Sequence, residues 1–273
     1  MRYAICNETF EGWDHARVCR TAAELGYTGL EMAPFTLAPR ITDVTAEQRQ
    51  KLRKEAETCG LKIIGLHWLL AKTEGLKLTS RDPAVRAKTA AYLVELARCT
   101  RELGGDLMVF GSPAQRRIPQ GTSKAQACDY AGDAFQRALR GFIDNQVRLC
   151  LEPLSPPEAD FINTCDEANE IIRRINHPLF ALHLDVKAMS TEATPRPELI
   201  RRHGKTAGHF HANDANRRGP GFGDVDFVPI FQAVKESGYG GWVSVEVFDY
   251  SPDPVTIARE SIRYMQECVA KVH

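Results

Sequence analysis

No stretch of this chain approaches the about 18 consecutive apolar residues of a membrane-spanning helix, so nothing in it is expected to cross a bilayer. There is no excess of charge of either sign. Lys plus Arg and Asp plus Glu both number 35, and so no overall field draws the chain to nucleic acid or an anionic surface. Neither a GxGxxG nor a Walker sequence follows the first strand-like run, which removes the usual nucleotide-binding signatures. Low-complexity tracts and linker-like shifts in composition are lacking too. The opening MRYAICNETF leads directly into a strand and has no signal-peptide core, which sets the expectation of a cytoplasmic protein. Eight cysteines are present but none forms a CxxC pair. Several fall in apolar helix or strand patterns, as reduced core thiols do.

What is present is a regular alternation of short apolar runs and helical patterns. Strands are predicted at Tyr3–Cys6, Gly29–Met32, Leu61–Leu66 and Asp106–Gly111, each followed by a helix: Asp14–Leu25, Thr45–Cys59, Asp82–Leu103 and Ser123–Asn145. Thr45 with Gln48 reads as a capping box, Gly60 as a C-terminal stop, and Asp82-Pro83 as an N-cap followed by a first-turn proline. Four further strands precede helices near Cys165–Ile175, Pro197–His203, Phe227–Ser237 and Pro254–Val272. Runs such as KIIGL and LMVF are apolar on both faces, as strands of a buried parallel sheet are. Eight strand–helix units in 273 residues predict a single-domain α/β protein, a (β/α)8 TIM barrel.

The last four strands end alike. VRLCLE, FALHLD, AGHFH and WVSVE place Glu152, Asp185, His211 and Glu246 at successive strand ends, spaced 33, 26 and 35 residues apart. Taken singly, each has an ordinary structural explanation as a loop cap or a satisfied buried histidine. Together they converge on the C-terminal rim of a barrel, where such folds carry their chemistry. Three carboxylates and an imidazole crowded there require a shared partner, and a hard divalent cation suits that donor set.

The chain resembles the xylose isomerase-like barrel superfamily, and within it the ketose 3-epimerases of the tagatose/psicose type and the hydroxypyruvate isomerases. The resemblance rests on LEPLSPPE (Leu151 to Glu158), HLD (His183 to Asp185), GHFHANDANRRGPGFG (Gly208 to Gly223) and VSVEVF (Val243 to Phe248). Weaker matches run through SRDPAVR and VFGSPAQR. It implies that Glu152, Asp185, His211 and Glu246 hold Mn²⁺, or alternatively Mg²⁺, Co²⁺ or Zn²⁺. It also implies that Glu152 and Glu246 shuttle a proton on opposite faces of a small carbohydrate, that Glu158 and Arg217 contact its hydroxyls, and that the protein forms dimers or tetramers. The chemistry is coherent, because a cation on the carbonyl oxygen stabilises the enediolate formed when the neighbouring C–H is deprotonated.

One position departs from the epimerase pattern. Those enzymes usually carry a histidine three residues after the strand-six aspartate, whereas here Asp185 is followed by Val186-Lys187-Ala188. Lys187 is the replacement donor expected at the substrate, and activity on free ketohexoses is placed in doubt. His67 in GLHWLL is expected to face the sugar, with Trp68, Trp13 and Phe248 as candidate walls. Two other outcomes share the metal site and the first proton abstraction: dehydration of keto-sugars or keto-inositols, and β-elimination from 3-oxo-glycosides. Apurinic endonucleases share the barrel but use more rim histidines and a basic face; VFGSP and Ala188 lack the former and the balanced charge lacks the latter. The reading is therefore a divalent-metal sugar isomerase or epimerase with no nucleic-acid or membrane partner.

Overall fold

A computed structural model describes all residues from 1 to 273. Its eight parallel strands are β1 Arg2–Cys6, β2 Gly29–Met32, β3 Lys62–Leu66, β4 Leu107–Phe110, β5 Arg148–Leu151, β6 Phe180–Asp185, β7 Ala207–Ala212 and β8 Trp242–Val245. They close in chain order, with β8 returning to pair with β1 from Arg2↔Trp242 to Ile5↔Val245. The helices between them are α1 His15–Glu24, α2 Ala46–Thr58, α3 Pro83–Glu102, α4 Lys124–Asn145, α5 Cys165–Ile175, α6 Arg196–His203, α7 Phe227–Ser237 and α8 Pro254–Ala270. This is the expected (β/α)8 barrel. The last helix stops at Ala270, two residues before the expected Val272.

Local chemistry sets the boundaries. Asp14, Thr45, Asp82, Ser123, Thr164, Asp226 and Asp253 each accept a backbone N–H of the helix that follows. The Thr45–Gln48 capping box forms on both sides. Gly65 is dictated by close approach, since a Cβ there would lie 2.1 Å from the carbonyl oxygen of Leu107 on the neighbouring strand. Outside the barrel, Phe110, Phe135 and Phe180 pack edge-on at 5.3–5.4 Å between β4, α4 and β6. A continuous apolar core of 65 buried residues fills the fold, and the buried acids Glu152, Asp185 and Glu246 stand at its strand ends. Short 3-10 turns at Asn7–Phe10, Ala114–Arg116 and Ala188–Thr191, not foreseen from sequence, bend the chain over the C-terminal mouth of the barrel after β1, β4 and β6. All eight cysteines are free thiols, six of them buried.

Candidate metal centre

The barrel mouth gathers the four strand-end residues. Glu152 follows β5 immediately, Asp185 is the last residue of β6, His211 stands one residue before the end of β7, and Glu246 follows β8. None is more than 6% exposed. His211 Nδ1 lies 3.1 Å from Glu246 Oε2 and 4.0 Å from Asp185 Oδ2. Donor atoms of Glu152, His183, Asp185 and His211 all fall within 4.8 Å of one another. Glycine at position 111 makes room for this, because a Cβ there would sit 1.8 Å from Glu152 Oε2.

The electrostatics report crowding of like charge. Burial, followed by the Glu246 and Asp185 carboxylates, lifts Glu152 well above the usual carboxylate range. Burial and then Glu246 raise Asp185 to about 6. Burial also works against Glu246, but the imidazole of His211 outweighs it and holds Glu246 below the ordinary value. Crowding thus pushes the two glutamates in opposite directions, and a cation held between them would favour the ionised form of each. Three buried carboxylates around an imidazole nitrogen fit a divalent cation, which supplies the positive charge they lack.

A second set of residues surrounds these four. Glu31, fully buried in β2, reaches across the barrel to β7, with Oε2 2.9 Å from His209 Nε2 and 3.1 Å from His211 Nε2. Asn213 donates to Asp185 Oδ2 at 2.6 Å, and the Ala188 N–H donates to Asp185 Oδ1 at 2.6 Å. Arg116, also fully buried, donates to the backbone carbonyls of Glu152 and Phe110 at 2.6 Å each and so pins the start of the loop that carries Glu152. Burial lowers the Arg116 guanidinium to about 10, with Glu152 opposing. Trp68 donates its indole N–H to Glu246 Oε1 at 2.9 Å while stacking on Phe248 at 5.8 Å. It adopts a left-handed backbone conformation, φ 52°, which a non-glycine residue holds only under constraint.

The remaining expected residues are placed less uniformly. Lys187 Nζ bonds Glu158 Oε1 at 2.5 Å, bringing those two together on the rim. Lys187 also lies 5.2 Å from the Phe248 ring. Arg217 is exposed, 6.0 Å from the same ring, and has φ 72°. His67 differs from expectation: it is fully buried, and its Nε2 bonds Glu8 Oε1 at 2.8 Å. Glu8 is the member of that pair lining a cleft of about 780 Å³, together with Trp13, Phe35, Trp68 and Tyr250. Trp13 and Trp68 are therefore cleft walls, and Phe248 backs Trp68.

Sequence reasoning missed Glu8, Glu31, Arg116, His183, His209 and Asn213. A signal existed for three of them. Glu31 is a charge inside the apolar run GLEM, and His183 and His209 each stand two residues before a candidate strand-end ligand, on the same face of the strand. Arg116 ends the 3-10 turn after β4 and Asn213 follows β7, and neither carries such a pattern.

A family model described as a xylose isomerase-like TIM barrel matches residues 19–268. The chain belongs to that family. It is similar to a D-psicose 3-epimerase of Ruminiclostridium cellulolyticum, 28% identical over 253 residues that cover 90% of this chain and 82% of that protein. An L-ribulose 3-epimerase of Methylomonas is 28% identical over 230 residues, covering 83% and 76%. The crystal structure of a 3-keto-D-glucoside 4-epimerase from Escherichia coli superposes with a TM-score of 0.85 at 18% identity, covering 98% of this chain and all of that one, a likeness of fold. The relatives are sugar epimerases, and they place this chain among isomerase-class enzymes.

Proposed function

We propose that this protein epimerises a small keto-sugar by moving a proton next to its carbonyl, with Glu152 and Glu246 as the two proton-transfer groups. The observation that carries the reading is geometric: two buried glutamates meet Asp185 and His211 at one barrel mouth, in a chain whose relatives are sugar epimerases. Glu152, Asp185, His211 and Glu246 would hold the cation, with Mn²⁺ our choice. When bound, it would act as a Lewis acid toward the carbonyl and offset the negative charge of the enediolate.

The protein groups account for the rest. An ionised Glu246 can accept the C–H proton from one face, and a protonated Glu152 can return one from the other, which inverts the carbon. The return reaction exchanges the roles. Trp68 fixes one Glu246 oxygen through its N–H, leaving Oε2 directed at the centre. Arg116 and Asn213 hold the backbone at Glu152 and the side chain of Asp185. The Lys187–Glu158 pair and Arg217 would bind substrate hydroxyls, as sequence suggested, with Lys187 standing in for the histidine that Ala188 replaces.

Glu246→Gln and Glu152→Gln test the assignment, each assayed from both epimers of a convertible ketose pair. Net epimerisation is expected to fall by a factor of about 10² or more in each variant, the scale of a lost acid–base group. Near-normal turnover in either variant removes that residue from the pair. Product analysis also separates epimerisation from elimination, because an unsaturated sugar would show departure of a leaving group.

A further inference from the structure

We propose that Glu31 is a positioning residue: by accepting the Nε2–H of both His209 and His211 it fixes the tautomer of His211 and turns its Nδ1 lone pair toward the metal centre. The proposal rests on the metal reading above and extends it to a carboxylate on the far side of the barrel.

The geometry leaves Glu31 one way to be satisfied. It lies in β2 with no solvent exposure, and the polar groups facing it are His209, His211, His67 and Cys6. The Cys6 thiol is 3.8 Å from Oε2 and His67 Nδ1 is 3.9 Å from Oε1, both too long for a strong bond. His209 Nε2 at 2.9 Å and His211 Nε2 at 3.1 and 3.3 Å are the close contacts. An ionised carboxylate only accepts, so both Nε2 atoms must carry protons. For a neutral imidazole this leaves Nδ1 as the acceptor, and Nδ1 of His211 is the atom 3.1 Å from Glu246 and 4.0 Å from Asp185. The occupant of Nδ1 can change between a proton and a cation. The proton on Nε2 cannot leave without stranding a buried carboxylate.

Stability alone is a poor reason for Glu31 to be there. A buried charge with its partners is often no more stabilising than an apolar residue of similar volume. A residue behind a metal-binding imidazole, by contrast, orients the ring and raises its basicity. Glutamine at this position would offer one acceptor and one donor to two N–H groups. Its amide oxygen in the place of Oε2 can still accept from both, but it is neutral, and its NH2 in the place of Oε1 would meet the His211 Nε2–H at 3.3 Å, so His211 is held less firmly or shifts its proton to Nδ1 and loses the metal-facing lone pair.

The test uses the full chain. Mn²⁺ affinity is measured by electron paramagnetic resonance for wild type, Glu31→Gln, Glu31→Asp and the remote core variant Leu93→Ala. In parallel, ¹⁵N–¹H imidazole NMR of the Zn²⁺-loaded wild type and Glu31→Gln reports which nitrogen of His211 is protonated. Affinity is expected to fall about 10–100-fold in Glu31→Gln, the range seen when such partners are removed, and less in Glu31→Asp. It should not fall in Leu93→Ala, whatever that change does to melting. Wild-type His211 should show Nε2–H. Unchanged affinity in Glu31→Gln, or a wild-type His211 protonated on Nδ1, overturns the proposal. If Glu31→Gln does not fold, the wild-type tautomer and Glu31→Asp still decide it. Sugar turnover is not the readout, so failure of the epimerase reading leaves this test standing. A wild type that takes up no cation sinks the metal reading and this proposal together.

Discussion

At the scale of single residues, the site depends on how each polar group is held. Glu246 is fixed from two sides, by His211 Nδ1 on Oε2 and by the Trp68 indole on Oε1. Trp68→Phe removes the indole N–H but keeps an aromatic ring against Phe248. A hydrogen bond to a charged group contributes about 1.5–3 kcal/mol, so kcat/KM should drop roughly 10–100-fold with little change in melting temperature. Steady-state kinetics beside thermal unfolding checks this, and equal losses in both would make Trp68 a packing residue. The rim pair gives a pH dependence. Burial opposes the charge of Glu158, but its bonds to Lys187 and Ser155 outweigh that and hold its pKa below the ordinary carboxylate value. A lowered carboxylate adds stability that is fully present above its unfolded value, about 4.3, and is lost as pH falls through the lowered folded value. Both partners are partly exposed, so the effect is at most about 1 kcal/mol. Denaturation midpoints of wild type and Glu158→Gln should differ at neutral pH and converge in acid; a constant gap across pH would contradict the account.

At the scale of elements, strand ends place the candidate ligands and strand contacts make room for them. Gly65 on β3 touches the carbonyl of Leu107 on β4, so Gly65→Ala forces two neighbouring strands apart. Overpacking of this kind costs about 1–3 kcal/mol, which for a chain of this size lowers the melting temperature by roughly 2–12 °C. Calorimetry would show it, and an unchanged transition would mean that the barrel yields more easily than its packing implies. The elements were also the most legible part of the sequence. Period, caps and apolar runs located every strand and helix to within a few residues, because barrel strands buried on both faces cannot disguise themselves as loops. The strand-end acids and His211 were legible for the same reason, as charges that interrupt an apolar run at its C-terminal edge. Glu31 was not, since attention to strand ends passes over a charge inside a strand whose partners lie 178 and 180 residues away. Only the closed barrel brings β2 opposite β7. His67 shows the converse: its position at the end of β3 suggested substrate contact, but the 3-10 turn after β1 puts Glu8 against it.

At the scale of the whole molecule, closure of eight strands turns scattered residues into one centre. Groups from β2, β5, β6, β7 and β8 meet within a buried mouth, and the cleft lined by Glu8, Trp13 and Trp68 opens beside it. The central claim is that this centre moves a proton next to a carbonyl. Its most direct test is hydrogen exchange with solvent. Mn²⁺-loaded protein is incubated in D₂O with ketoses, keto-glycosides and their phosphates, and the C–H signals are followed by NMR. The account predicts cation-dependent deuterium uptake at the carbon beside the carbonyl of at least one neutral sugar, abolished by Glu246→Gln. Tight cation binding with no exchange on any of these compounds would contradict it.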